Sequence, residues 1–349
     1  MTVNAVTEKL RQTARDLLQS GQVGVVIGFE DGRFPGQPRP AFIRRAEDAD
    51  RLVWNAFCGA NLAKYVLDYR VGDGKIAVVA KGCDGAALAR IIGDQQFPRQ
   101  RLVVLAVGCP GMLDAGRVAD AAGLPDGAWD AALAQVAAAA EPGADGFELN
   151  GKPVSRSAGL RPQCVRCRQP NVPAALEPDV WLSEPAPERH PSPDQLYGDV
   201  AALEAMSVEE RGRFWEEAFS RCLRCFACRN VCPVCDCREC VLDDAQTRWL
   251  GKAVNLAENQ FFHLTRAMHV AGRCVGCGQC EEACPVGLPL TVLYRKLSHD
   301  LEELFGPVEM PAPQEGKAAA GAAEGAAAGL EKAEWALTRF RLNDPDEFD

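Results

Sequence analysis

Cys222-Leu-Arg-Cys225-Phe-Ala-Cys228-Arg-Asn-Val-Cys232-Pro233 and Cys274-Val-Gly-Cys277-Gly-Gln-Cys280-Glu-Glu-Ala-Cys284-Pro285 decide how the C-terminal half of this chain is built. Each run spells C-x2-C-x2-C-x3-C-P, the spacing that holds a pair of [4Fe–4S] cubes. The first three cysteines wrap a tight loop around one cube, and the fourth, on a short helix, reaches across to the other. The predicted sets are Cys222, Cys225 and Cys228 with Cys284, and Cys274, Cys277 and Cys280 with Cys232. The proline after each fourth cysteine lacks an N–H and turns the chain away. Structural zinc also uses C-x2-C pairs, but it has no role for a third cysteine at that spacing or a fourth before proline.

Working outward, the chain of 349 residues suggests two domains, at most three, and its 47% hydrophobic content is ample for a buried core. It shows no run of about 18 apolar residues, so no membrane span is expected. Met1-Thr-Val-Asn-Ala-Val-Thr-Glu8 shows no basic patch followed by an apolar stretch, so no export signal is read there. Sixteen cysteines without such a signal point to a cytoplasmic metal-cluster protein, since disulfide frameworks belong to oxidising compartments. The net charge of -10 makes nucleic acid a poor partner and basic patches on proteins a better one.

Upstream, Val6, Leu10, Ala14, Leu17 and Leu18 form one helical stripe, ended by Gly21, and Val23 to Phe29 reads as a strand. Helices are expected over 46–57 and 58–69. Lys75 to Ala80 and Arg101 to Val107 read as buried strands flanking a helix over 86–92, a βαβ unit with a parallel pair. Cys83 and Cys109 stand just past these strands, at the carboxyl ends where open α/β sheets place ligands. An alanine-rich helix over 129–140, a loop over 151–161 and a further C-x2-C, Cys164 to Cys167, come next. Prolines 170, 173, 178, 185, 187, 191 and 193 read as an extended connector. Helices are then expected over 199–220, 258–270 and 290–305.

Together these patterns predict an α/β domain over 1–185, an α+β dicluster ferredoxin-like domain with helices over 186–310, and a low-complexity tail over 311–349. The tail is an alanine–glycine linker followed by Trp335, Leu337, Phe340, Leu342 and Phe348 among charges, a pattern suited to docking on a surface.

Lys75 to Asp114 (KIAVVAKGCDGAALARIIGDQQFPRQRLVVLAVGCPGMLD) resembles the core of the beta-subunit family of deazaflavin (coenzyme F-420) reducing hydrogenases and formate dehydrogenases. Cys164-Val-Arg-Cys167 with Asp179-Val-Trp-Leu-Ser-Glu184 is similar to that family's later motifs, and the resemblance covers roughly residues 20–190. It implies an FAD site near Lys81, Gly82, Cys83, Asp84, Gly108 and Gly111, with electrons moving between a partner subunit and a soluble hydride carrier or ferredoxin. This sequence has Lys-Gly-Cys-Asp where many relatives have Thr-Pro-Cys, and its dicluster segment follows the α/β domain instead of preceding it.

Eight cysteines lie outside the two runs: Cys58, Cys83, Cys109, Cys164, Cys167, Cys235, Cys237 and Cys240. Alone, each reads as a small buried hydrophobe. Together, four of the first five are expected to hold a third [4Fe–4S] cluster, and Cys235, Cys237 and Cys240 a fourth with one cysteine lent by the first domain. His263 and His269 are expected to pack or face solvent. Arg266 and Arg273 are expected to donate hydrogen bonds or to tune cluster potential, because positive charge near a cube favours its reduced form. Lys81 reads as solvated or facing a flavin. The reading chosen is an iron–sulfur, flavin-containing electron-transfer subunit of a multi-subunit complex such as a hydrogenase, formate dehydrogenase or heterodisulfide-reductase-type assembly, with a self-contained flavin reductase and a non-catalytic metal-folded scaffold as alternatives.

Overall fold

The computed structural model describes residues 3–125, 129–139, 145–149, 151–244, 246, 249–251 and 253–306. The alanine–glycine linker and the tail expected to dock lie outside the described residues.

Helix α1 (Val3–Gln19) buries Val6, Leu10, Ala14 and Leu17 on one face. Strands β1 (Val25–Glu30), β2 (Arg39–Ile43), β3 (Ile76–Ala80), β4 (Leu102–Ala106) and, further on, β7 (Val180–Trp181) form a sheet of order β2-β1-β3-β4-β7. The β1–β3, β3–β4 and β4–β7 pairs are parallel, and β2 runs antiparallel on β1. Every residue of β1, β3 and β4 is buried, which is why they read as unbroken apolar runs. Helix α2 (Gly82–Gly93) makes the crossover between β3 and β4.

Several expectations change. The helices over 46–57 and 58–69 are 3-10 segments, Ala46–Arg51 and Ala63–Tyr69, joined by irregular chain. Asn55 Oδ1 accepts from Phe57 N at 2.9 Å and Asn61 Oδ1 from Ala63 N at 3.1 Å, local bonds that compete with a helix. β2 was not legible because Pro40 interrupts it; an edge strand tolerates the missing N–H.

After α3 (Ala115–Ala122) and α4 (Trp129–Ala139), the expected loop over 151–161 begins instead as the return arm of a hairpin, β5 (Gly146–Leu149) with β6 (Lys152–Ser155). The sequence carries a hairpin signal here, Asn-Gly at 150–151, and Gly151 stands at φ 73°. Two single helical turns, α5 (Arg156–Gly159) and α6 (Pro162–Val165), then carry the chain to Cys164.

The proline-rich connector is also docked on the sheet. Asp179 Oδ2 accepts from Val104 N (2.7 Å) and Arg99 (2.9 Å), and Asn171 exchanges two hydrogen bonds with the backbone of Ala186.

From residue 193 onward the described elements are all helical: α7 (Pro193–Glu204), α8 (Val208–Ser220), α9 (Ala227–Asn230), α10 (Leu256–Val270), α11 (Gln279–Glu282) and α12 (Leu290–Phe305), with a 3-10 turn at Val241–Asp243. The α+β expectation for this part is therefore corrected to helices. Capped amphipathic helices supply the packing that strands were expected to give: Ser207 caps α8 with Glu210 in a capping box, and Asn255 caps α10. The sheet core and the helical core are separate apolar clusters, and the half-buried Val275, between Cys274 and Cys277, packs against both. Among the described residues no helix is long and apolar enough to cross a membrane.

Candidate iron–sulfur centres

The two cysteine runs fold into matching loops. Each ends in a one-turn helix, α9 or α11, that carries its third cysteine, Cys228 or Cys280, with the fourth just beyond. Wrapping the loop requires positive φ at two positions. In the second run these are Gly276 (65°) and Gly278 (71°); in the first they are Arg224 (48°) and Phe226 (60°). A side chain at such a φ is strained, and here both are anchored. Arg224 is buried and bonds Glu258 at 3.3 Å, while Phe226 packs edge-on against Phe262 and under Arg229.

Members of each expected ligand set lie near one another. Burial pushes the Cys222 thiol up, and the neighbouring Cys284 and Cys225 push it further; Cys228 is raised by burial and then by Cys222 and Cys284. In the other set burial again acts first, with Cys232 adding at Cys274, Cys277 and Cys280. Backbone N–H groups point at the sulfurs: Arg224 N lies 3.3 Å from Cys222 Sγ and Leu288 N 3.3 Å from Cys284 Sγ.

The first domain brings together the four cysteines Cys83, Cys109, Cys164 and Cys167. They line one cavity of about 260 Å³ with Cys232, Cys274, Cys277 and Cys280. Cys83 opens α2 at the end of β3, Cys109 follows β4, and α6 lifts Cys164 opposite them. Burial raises Cys109 to about 12 and Cys83 well above an ordinary thiol. Met112 N donates to Cys164 Sγ and Gln169 N to Cys167 Sγ, each at 3.4 Å. Cys58 stays apart in the sheet core, its sulfur accepting from Asn55 N at 3.3 Å.

The residues fit iron–sulfur cubes better than mononuclear zinc. Zinc–thiolate bonds of about 2.3 Å at a tetrahedron would put sulfurs roughly 3.8 Å apart. Among the described residues no three cysteine sulfurs lie within 4.8 Å of one another. Buried thiols that resist ionisation are the donor type a metal centre deprotonates outright.

Cys235, Cys237 and Cys240 differ in their surroundings. Cys235 donates to Cys232 and holds that thiol low, Cys237 is exposed, and Cys240 lies beside Arg229. Their loop ties the domains together. Lys64 Nζ donates to Cys235 O at 2.7 Å, Arg70 to Asp236 O, and Arg273 bonds both Asp236 and Asp94.

The flavin expected near Lys81–Asp84 and Gly108–Gly111 does not fit the residues there. Lys81 is buried, paired with Asp84 at 2.8 Å, bonded to Ala60 O at 2.9 Å and held over the rings of Phe29 and Trp54. Asp84 accepts from the backbone N–H groups of Leu62 (2.5 Å) and Lys81 (2.9 Å). A Cβ on Gly82 would stand 1.9 Å from Gln169 O, and one on Gly108 2.3 Å from Glu184 O. This chain's own backbone occupies the space that the glycines open.

Helix α10 presents polar residues to the dicluster. Arg266 is buried, bonds Cys228 O at 2.9 Å and meets the Tyr294 hydroxyl. Burial opposes its charge, but Tyr294 and the thiols of Cys235, Cys232 and Cys228 hold it cationic. Since it reaches members of both sets, it stands between the two loops. His263, read from the sequence as packing or surface, is buried with Nε2 3.2 Å from Cys222 Sγ; His269 is exposed. The missed signal was a polar stripe, Asn259, His263 and Arg266, on the buried face of a helix.

A family model described as a 4Fe-4S dicluster domain matches residues 197–288. The F420-dependent formate dehydrogenase subunit beta of Methanocaldococcus jannaschii is 33% identical over 93 residues, 26% of this chain and 24% of that protein. The F420-dependent formate dehydrogenase 1 subunit beta of Methanococcus maripaludis is 54% identical over 28 residues, 8% of this chain and 7% of that protein. The chain thus matches about a quarter or less of the length of these curated relatives. It carries a 4Fe-4S dicluster domain, and the resemblance to formate dehydrogenase beta subunits read from Lys75 to Asp114 agrees with these relatives.

Proposed function

We propose that this chain is the iron–sulfur electron-relay subunit of a formate-dehydrogenase-type complex, and that it holds three [4Fe–4S] cubes in line. The observation that carries this reading is the shared cavity, where Cys83, Cys109, Cys164 and Cys167 face Cys232, Cys274, Cys277 and Cys280. When bound, the cubes supply one-electron storage and transfer.

The residues give the line its order. Cys280 lies within the field of Cys228, tying the second set to the first, and Cys277 lies within the field of Cys83, tying it to the third. Cys109 is buried, and Cys83, Cys274 and Cys277 are half-buried around the cavity at the middle of the line. At the other end Cys225 is exposed beside Leu223, where an electron can cross to a protein partner. With no cradle for a flavin at Lys81–Asp84 or Gly108–Gly111, hydride chemistry falls to another subunit of the complex. Residues 1–185 then serve as the third-cluster domain and 186–310 as the dicluster domain.

Anaerobic preparation followed by iron and sulfide analysis tests the count. Three cubes give about 12 irons per chain; about 8 would remove the first-domain cluster and leave only the dicluster. Cys83→Ser should lower the count by about four while both dicluster signals persist.

A further inference from the structure

Cys222 Sγ is reached by two nitrogens of different origin. One is the backbone N–H of Arg224, 3.3 Å from the sulfur. This belongs to the loop itself, since Gly276 N does the same for Cys274 in the second run. The other comes from a side chain: His263 Nε2 lies 3.2 Å from Cys222 Sγ.

The ring is held in that place from every side. It stacks on Phe219 with centroids 4.9 Å apart and planes 9° from parallel, and Phe262 meets it edge-on at 5.0 Å. One turn earlier Asn259 donates to the carbonyls of Phe219 and Cys222, each at 3.0 Å, which fixes the loop against the same helix. His263 is 1% exposed, and its Nδ1 is buried without a hydrogen-bond partner among the described residues.

That geometry selects a tautomer. A proton on Nδ1 would leave a buried donor unsatisfied and turn the Nε2 lone pair toward an electron-rich sulfur. A proton on Nε2 makes a hydrogen bond to that sulfur and leaves only a bare lone pair unpaired, the cheaper arrangement. We propose that His263 donates its Nε2–H to Cys222 Sγ and thereby raises the reduction potential of the cube held by Cys222, Cys225, Cys228 and Cys284. The inference rests on the cluster assignment above. Reduction adds negative charge to a cube and its thiolates, so a donor aimed at one ligand sulfur stabilises the reduced form more than the oxidised one. His263 acts through Cys222 and is a positioning residue for the relay.

The test is a redox titration of the full chain followed by electron paramagnetic resonance, with iron content matched between variants. His263→Leu keeps the packing volume and removes the donor; one cluster potential should fall while the others hold. His263→Gln, whose amide can reach the sulfur, should recover most of the shift. Unchanged potentials in His263→Leu, or a common shift of all of them, would overturn the inference. If His263→Leu fails to load iron, the unaltered chain labelled with nitrogen-15 histidine decides. Pulsed resonance of its reduced dicluster should show a histidine nitrogen coupling and an exchangeable proton beside it, and absence of both overturns the proposal. Absence of any cube signal in the unaltered chain would instead bring down the cluster assignment itself.

Discussion

Lys81 and Gly82 stand side by side after β3 and answer to different demands. Lys81 neutralises Asp84 in a place where neither side chain meets solvent, their side chains being 2% and 0% exposed. Lys81→Met should leave Asp84 buried and unpaired, at a cost of about 3–5 kcal/mol in chemical denaturation. The double variant Lys81→Met with Asp84→Asn, whose uncharged amide oxygen can still accept from Leu62 N or Lys81 N, should recover much of that loss; no recovery would mean that the pair is not what Lys81 serves. Gly82→Ala acts on the proposed third-cluster site instead, because its Cβ must push Gln169 O, two residues past Cys167. We expect it to lose about four irons per chain with the dicluster signals intact. Full iron content in that variant would show that the segment after Cys167 yields at no cost to its ligands. The sequence displays both residues, and neither role, because each depends on what crosses above the sheet: Gln169 and Glu184 belong to a segment that proline content marks as a connector.

At the scale of elements, spacing was most legible where a ligand dictates it. The two C-x2-C-x2-C-x3-C-P runs specify their loops through covalent reach, and Cys222 lies near Cys284 while Cys232 lies near Cys274, Cys277 and Cys280. The first-domain set was legible in part: strand ends point to Cys83 and Cys109, and the C-x2-C to Cys164 and Cys167. What sets Cys58 aside is burial in the sheet core, which no spacing encodes. The same limit hid the roles of Asn259, His263 and Arg266, whose stripe is apparent but whose neighbours are not.

The first loop also lacks the glycines that the second uses at positive φ, which makes anchoring testable. Phe226→Gly relieves the backbone at φ 60° but deletes the contacts with Phe262 and Arg229. If the ring is the anchor, the variant should lose its first cube faster than the unaltered chain under a chelator, while the second persists. Equal or slower loss would mean that strain outweighs packing there.

For the whole molecule, the two halves meet through a polar seam more than through a shared core. Arg161 pairs with Glu282 at 2.5 Å, Arg168 with Glu302 at 3.2 Å, and Arg273 with Asp236 and Asp94. Most of these pairs keep some exposure, so each adds about 1 kcal/mol or less and weakens in salt. Asp236 is the exception: its side chain is 4% exposed, and Arg273 pairs with its carboxylate while Arg70 bonds its carbonyl. That cation stays charged against burial because Asp236 and Asp94 both face it.

Arg273→Leu should therefore act on both halves at once. Asp236 is left buried without its partner, at about 1–3 kcal/mol, and the tie from Asp94 to the Cys235–Cys240 loop is cut. Hydrogen exchange should accelerate over residues 232–240 and around Asp94, and electron transfer between the second and third cubes should slow. Asp94→Ala, which cuts the tie but leaves Asp236 paired, should reproduce the exchange around Asp94 and the slower transfer with little loss of stability. If Asp94→Ala leaves transfer unchanged while Arg273→Leu impairs it, the seam does not hold the relay in line. The effect would then belong to the buried carboxylate alone.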